Sequence, residues 1–270
     1  MASHLVAAVQ MRTGADLDAN LARARNLVET AADRGAELVV LPEVFAWRGP
    51  RTDEPGAATP IPGRVSEFLR RLAADLAIVL VGGSFLELAP EAEKSFNTSL
   101  AIGADGTILA RYRKIHLFDV DLPGELSVRE SETRAHGREV VTAASPLGTI
   151  GLSVCYDLRF PELYRRLAAA GATILVVPSA FTFHTGAAHW EPLLRARAIE
   201  NQAYVIAPNQ AGKSPHGFPD YGHSMIVDPW GTVIARAGDG EQVIVAELDP
   251  DRVARVRREM PCQLHAVLAR

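Results

Sequence analysis

Short β-branched runs separated by stretches of helical period recur from one end of this chain to the other, and that alternation restricts the fold more than any other feature. "LVAAVQM" reads as a first strand. Asp16 can cap the helix after it, where Leu17, Leu21, Ala24, Leu27, Val28 and Ala31 repeat at helical spacing up to Gly35. "ELVVLPE" is a buried strand that stops at Pro42, and the Pro/Gly-rich "RGPRTDEPGAATPIPG" is a loop before a helix from Arg64 to about Ala74. "AIVLVGGSFLEL", "SFNTSLAIG" and "TILARYRK" follow as strands, with Asp105-Gly106 a hairpin turn between the last two. Further strands lie near Val140, Ile150 and Ile174; a helix runs from His189 to Asn201, then "AYVIAP", "GHSMIVD", "TVIARA" and "QVIVAEL". Asp249 caps a closing helix in "DPDRVARVRREM". The expectation is one continuous α/β domain over residues 1–270, with the tail from about residue 250 at the edge of the site or of an assembly. The polar stretch "KIHLFDVDLPGELSVRESETRAHG" has neither period and is expected to be a long loop covering an active site.

Several functions are disfavoured by composition. A net charge of −4 over 270 residues, with no long run of one sign, provides no electrostatic footprint for nucleic acid or an anionic membrane, so small molecules are the expected partners. The first residues lack a basic flank, and their apolar run is broken by Gln10 and Arg12; neither a signal peptide nor a membrane span is expected, and the location expected is the cytoplasm. A reducing compartment keeps the only two cysteines, Cys155 and Cys262, as thiols. His116, His184, His189 and His223 lack the spacing of a zinc helix or knuckle, and Gly82-Gly83 is not followed by Lys-Ser/Thr. No metal, nucleotide or other cofactor is expected.

Three reactive groups stand where expected strands end: Glu43 in "VVLPEVF", Lys114 in "ARYRKIHLFD" and Cys155 in "TIGLSVCYD". Taken singly, such a cysteine is more often a core residue, and such a Glu or Lys a solvated loop residue. Cysteine attacks as thiolate and needs an activator. A thiol, a carboxylate and an ammonium at three strand ends could together serve as nucleophile, base and electrophilic stabiliser of an acyl transfer.

The segments "LPEVF", "YRKIHLFD" and "GLSVCYDLRFPELYR", in this order, resemble the three signatures of the nitrilase superfamily of carbon–nitrogen hydrolases, and the likeness runs from about residue 4 to residue 250. It is strongest to the Nit branch, which holds amidases of deaminated glutathione and of omega-amides. The resemblance implies an αββα sandwich, a homodimer or larger homo-oligomer built through helical faces, and a Glu43–Lys114–Cys155 triad. It also implies a second glutamate after the lysine, for which Glu130 matches best, with Glu125 and Glu132 competing in the same loop. In this reading Glu43 takes the thiol proton, and Lys114 with the Tyr156 N–H stabilises the oxyanion. The substrate is a short acid with a terminal amide, its carboxylate paired by Arg129 or Arg159, and Phe181, Thr182 and His184 are candidates for the remaining contacts. Hydrolysis of an N-carbamoyl compound or a nitrile by the same triad is the alternative, and a non-catalytic binding member of the fold is a third reading. Cys262 matches no catalytic position and is read as structural or exposed.

Overall fold

Successive side chains of a strand face opposite ways, so a run apolar at every position must be covered on both faces. The computed structural model describes residues 3–123, 126–214 and 217–268. In it Val6, Ala8, Leu38, Val40, Val79 and Val81 turn to one side, where they pack with Ile150, Leu152, Ile174 and Val176 of a second sheet. Their neighbours Ala7, Val9, Val39, Leu41 and Leu80 turn the other way, onto Leu21, Ala24, Val28, Leu69 and Leu72 of the helices Leu17–Asp33 and Arg64–Leu76. The second sheet carries Pro161–Ala169 and Phe183–Asn201 on its own outer side. The order is helix, sheet, sheet, helix: an αββα sandwich.

His4–Gln10 pairs antiparallel with Gln242–Leu248 and parallel with Leu38–Val40, which runs parallel to Val79–Val81. Ser95–Ile102 continues this sheet antiparallel and also pairs Phe85–Glu87, Ile108–Arg113 and Arg134–Ala135. In the second sheet the order is Thr142–Ser145, Gly148–Leu152, Ile174–Val176, Tyr204–Ala207, Met225–Val227, Val233–Arg236, and the second to fourth strands are parallel. Asp16 accepts from the Ala19 N–H and Asp249 from the Asp251 N–H, so both anticipated caps form. No helix of the described residues is long and apolar enough to cross a membrane.

Three elements differ from the sequence reading. "AIVLVGGSFLEL" is two strands, Val79–Val81 and Phe85–Glu87. Gly83 breaks it with φ +53, and a Cβ there would lie 2.0 Å from the Pro42 carbonyl oxygen, so only glycine lets this backbone pass beneath the residue preceding Glu43. The long stretch after Lys114 is not irregular: Asp119–Leu122 and Leu126–Arg129 form a hairpin, Glu130–Glu132 a 3-10 turn, and Arg134–Ala135 joins the first sheet. Its hairpin projects from the sheets, so no apolar alternation marks it. The helix expected from His189 starts at Phe183, because its first buried residues are Thr185 and Gly186 and the inward face lacks an apolar period.

Candidate active site

Glu43 follows Leu38–Val40, and Cys155 follows Gly148–Leu152 by two residues; both sit beyond the carboxyl ends of parallel strands, where reacting groups of such sheets gather. Each stands at a strained bend. Val44 has φ +47 and Cys155 φ +49, conformations that cost an L-residue free energy and persist only where the surroundings enforce them. At the first bend, the Ser84 hydroxyl accepts from the Val44 N–H, and Gln210 donates to the Glu43 carbonyl. At the second, the Cys155 N–H donates to the Pro178 carbonyl, and the Asp157 carboxylate accepts from the Val154 N–H (2.8 Å) and the Tyr112 hydroxyl (2.6 Å). Asp157 also meets the His116 N–H and ring Nδ1 (2.7 Å), which ties the Cys155 turn to the segment that begins at Lys114.

Lys114 is clamped at its backbone: its N–H donates to the Asn97 carbonyl, and its carbonyl accepts from Gly137. Its ammonium lies 3.0 Å from Glu43 Oε1 and 2.8 Å from Glu130 Oε2, and the lysine is only 1% exposed. Asn97 Nδ2 donates to Oε1 of both glutamates, at 2.9 and 3.3 Å. Glu130 further accepts from the Phe118 N–H (2.7 Å) and from Arg134 (2.6 Å), whose other edge pairs with Glu54. Three carboxylates and two cations therefore interlock in a space nearly closed to water.

That packing fixes the charges. Burial opposes the Lys114 ammonium, but Glu130 and Glu43 outweigh it and hold its pKa well above that of a free lysine. Burial likewise opposes the Glu130 carboxylate, but Lys114 and Arg134 hold it far below the usual range. Burial pushes the Cys155 thiol well up and Glu43 adds to the effect; Lys114 and the Ala180 N–H act against them without winning. Burial therefore favours the thiol form of Cys155 over the thiolate.

A cleft of about 660 Å³, open mouth included, exposes Glu43, Lys114, Cys155 and Glu130 together with Tyr156, Arg159, Phe181 and Thr182. Tyr156 occupies the second position of the 3-10 turn Cys155–Arg159, where N–H groups point out of the turn's start. The Arg159 guanidinium lies 5.4 Å from the Phe181 ring centroid and within 3.2 Å of His189 Nδ1. Two of the sequence candidates stay outside the lining. Arg129 is exposed and offers its carbonyl to Arg51 (2.7 Å), because it points away as the last residue of the hairpin; His184 is exposed at the start of its helix. Of the competing glutamates, Glu132 is not among the lining residues, and Glu125 lies outside the described residues. Cys262 is an exposed thiol.

Sequence reasoning missed Asn97, Arg134 and Glu54. For Asn97 a signal existed: "NTS" is a polar triplet inside an apolar strand, and all three residues are fully buried. Arg134 and Glu54 meet only because Arg134–Ala135 pairs with Ser95–Phe96, a long-range contact with no local mark.

Residues 5–258 match the family model described as carbon-nitrogen hydrolase. A deaminated glutathione amidase of Synechocystis is 44% identical over 270 residues, 99% of each chain. An omega-amidase of Mus musculus is 40% identical over 97% of this chain and 94% of its own. Among solved structures, the NitFhit protein of C. elegans superposes with a TM-score of 0.90 at 40% identity; the match covers 98% of this chain and 65% of that one.

Proposed function

The chain belongs to the carbon–nitrogen hydrolase family, and from that premise we propose that it hydrolyses the terminal amide of a small carboxylic acid, of the 2-oxo-acid omega-amide or deaminated-glutathione type, through a thioester on Cys155. The observation that carries this reading is the Lys114 ammonium held between Glu43 and Glu130 in the same cleft that Cys155 lines. We assign the steps accordingly. Glu43 accepts the proton of Cys155 as sulfur bonds to the amide carbon, and the carbonyl electrons pass to oxygen. Lys114 and the Tyr156 N–H hold that oxyanion, each donor worth about 3 kcal/mol. Collapse breaks the C–N bond, and Glu43 returns its proton to the departing nitrogen. Water then attacks the thioester, giving a proton to Glu43; the C–S bond breaks, and the proton returns to sulfur. The net change is amide plus water to acid plus amine, ammonia when the amide is primary.

Glu130 acts through Lys114, fixing the ammonium and preserving its charge. Arg159, which has no carboxylate within ion-pair distance among the described residues, is the anchor for the substrate carboxylate, and Phe181 and Thr182 shape the acyl side. An anchored acid end and a presented amide convert remote binding into orientation at the sulfur.

We read the chain as one hydrolase domain that self-associates, with Phe183, Ile199 and Trp230, each about half exposed, as residues that a second copy would cover. Two free cysteines support a reducing compartment, for which we propose the cytoplasm.

The test compares a short acid bearing an omega-amide with its methyl ester and with an aliphatic nitrile, and follows release of ammonia. The acid amide should be consumed fastest. Equal turnover of the uncharged ester, or faster turnover of the nitrile, would end this reading.

A further inference from the structure

An ionised carboxylate offers about four acceptor positions, two on each oxygen, and the two glutamates that share Lys114 fill theirs differently. Glu130 is fully engaged: Oε1 accepts from Arg134 (2.6 Å) and Asn97 Nδ2 (3.3 Å), and Oε2 from Lys114 (2.8 Å) and the Phe118 N–H (2.7 Å). On Glu43 the bonds from Lys114 (3.0 Å) and Asn97 Nδ2 (2.9 Å) both fall on Oε1, and Oε2 takes neither. Of the two carboxylates, Glu43 is the one that keeps an oxygen open to a new proton.

Asn97 is common to these contacts. It lies in Ser95–Ile102, paired with Leu86 on one side, and on the other its carbonyl accepts from the Lys114 N–H (2.9 Å). One residue thus holds the lysine through its backbone and both glutamates through its amide. The amide can face only one way, because turning it over would set Oδ1 against two carboxylate oxygens. That orientation leaves Oδ1 buried without a hydrogen-bond partner, which lowers stability. Asn97 is fully buried and is not among the residues that line the cleft. An apolar side chain would fill this place without an unpartnered oxygen, so packing does not account for the amide.

Resting on the amidase reading above, we infer that Asn97 is a positioning residue: with Lys114 it pins Oε1 of Glu43 and so assigns Oε2 as the oxygen that takes and returns the proton. The proton leaves Sγ for Oε2 while the S–H electron pair forms the bond to the amide carbon, and the same proton then passes from Oε2 to the departing nitrogen. Both bonds to Oε1 persist through the two transfers, so the carboxylate need not turn between them.

The test uses the full chain and a short acid with a primary omega-amide. Asn97→Leu keeps a branched shape without a donor and should lower kcat about 50-fold or more, the scale of a misplaced general base. Its KM should stay within about threefold of wild type, since Asn97 is not part of the cleft wall. The melting temperature should fall by no more than a few degrees, because the change also removes the unpartnered oxygen. Asn97→Ser keeps a hydroxyl donor and leaves room for a water beside Oε1, so its kcat should exceed that of Asn97→Leu by about tenfold. Should Asn97→Leu fail to fold, Asn97→Val and Asn97→Thr, alike in shape and different by one hydroxyl, give the same comparison, with Asn97→Thr faster by about fivefold or more. A kcat for Asn97→Leu within about threefold of wild type overturns the inference and makes Asn97 a packing residue. So does a fall in kcat matched by an equal rise in KM, with Asn97→Ser no better than Asn97→Leu, which is the signature of a loosened site. Both results leave the amidase reading standing, whereas wild-type enzyme that turns over no acid amide removes that reading and this inference with it.

Discussion

Glu43 and Cys155 occupy matching points on the two sheets, each at a strained bend past a parallel strand, yet their surroundings differ in kind. Around Glu43 the contacts are charged and mutual: Lys114, Glu130, Arg134 and Glu54 form a chain of ion pairs, with Asn97 bridging two of the carboxylates. Around Cys155 they are backbone bonds to Pro178 and the Asp157 clasp on Val154, Tyr112 and His116. The charged groups on the first side therefore depend on one another for charge balance. The second side holds the Cys155 side chain in a fixed pose through uncharged backbone bonds and the Asp157 clasp. Loss of a group on one side should cost folding as well as chemistry, whereas loss of the sulfur on the other should cost chemistry alone.

The largest effect tests the neutral side. Cys155→Ala should remove turnover, a fall of about 10⁴-fold or more as for other nucleophile deletions, while the melting temperature stays within a few degrees. Alanine keeps the backbone bond to Pro178 and gives up only a sulfur 8% exposed at the cleft wall. A variant that retains more than a few per cent of the rate with the same product would show that the nucleophile lies elsewhere. A variant that fails to fold would break the contrast between the two sides.

On the charged side, Lys114→Met should stop turnover and also destabilise. It leaves Glu43 and Glu130 buried with no ammonium between them, and breaking a buried ion pair in this one-sided way costs about 3–5 kcal/mol. Urea denaturation monitored by circular dichroism reads the difference. A stability equal to wild type would mean that the pairs do not hold the fold as the geometry implies.

How much of this could be read from the residues depends on range. Glu43, Lys114 and Cys155 are each flagged locally, because the end of an expected strand is visible within ten residues, and all three do line one cleft. Local pattern reached only an alternating α/β domain, and the αββα layering was expected from the resemblance; "LVV", "VLV" and "ILV", apolar on both faces, are covered on each as that layering requires. Choosing among the glutamates after Lys114 was not possible from spacing. What singles out Glu130 is a 3-10 turn that brings its carboxylate to the Phe118 N–H and to Arg134, and that turn follows a hairpin without a period. Arg129 misled for the converse reason. It is adjacent to Glu130 in sequence, but neighbouring residues at the end of a strand face opposite ways, so one is buried and the other exposed.

The smallest effect, and the one that isolates a single carboxylate, concerns acid. Glu130→Gln keeps the shape of the side chain but removes the charge that balances Lys114 and Arg134, and the turnover rate should fall by about 10²-fold while Cys155 still acylates. Its stability has a definite pH dependence. In the folded chain Lys114 and Arg134 overcome burial and hold the Glu130 carboxyl far below its ordinary value, whereas in the unfolded chain it titrates near ~4.3. A depressed folded value means that the unfolded state binds the proton first, so the contribution is complete above ~4.3 and declines as the pH falls below it toward the folded value. Melting temperatures of wild type and Glu130→Gln, measured from pH 7 down to 3, should therefore differ most at neutral pH and converge in acid. A gap that stays constant across that range would show that Glu130 stabilises through packing and hydrogen bonds alone, and the charged side of the site would then depend on Glu43, not Glu130, for its ion-pair stability.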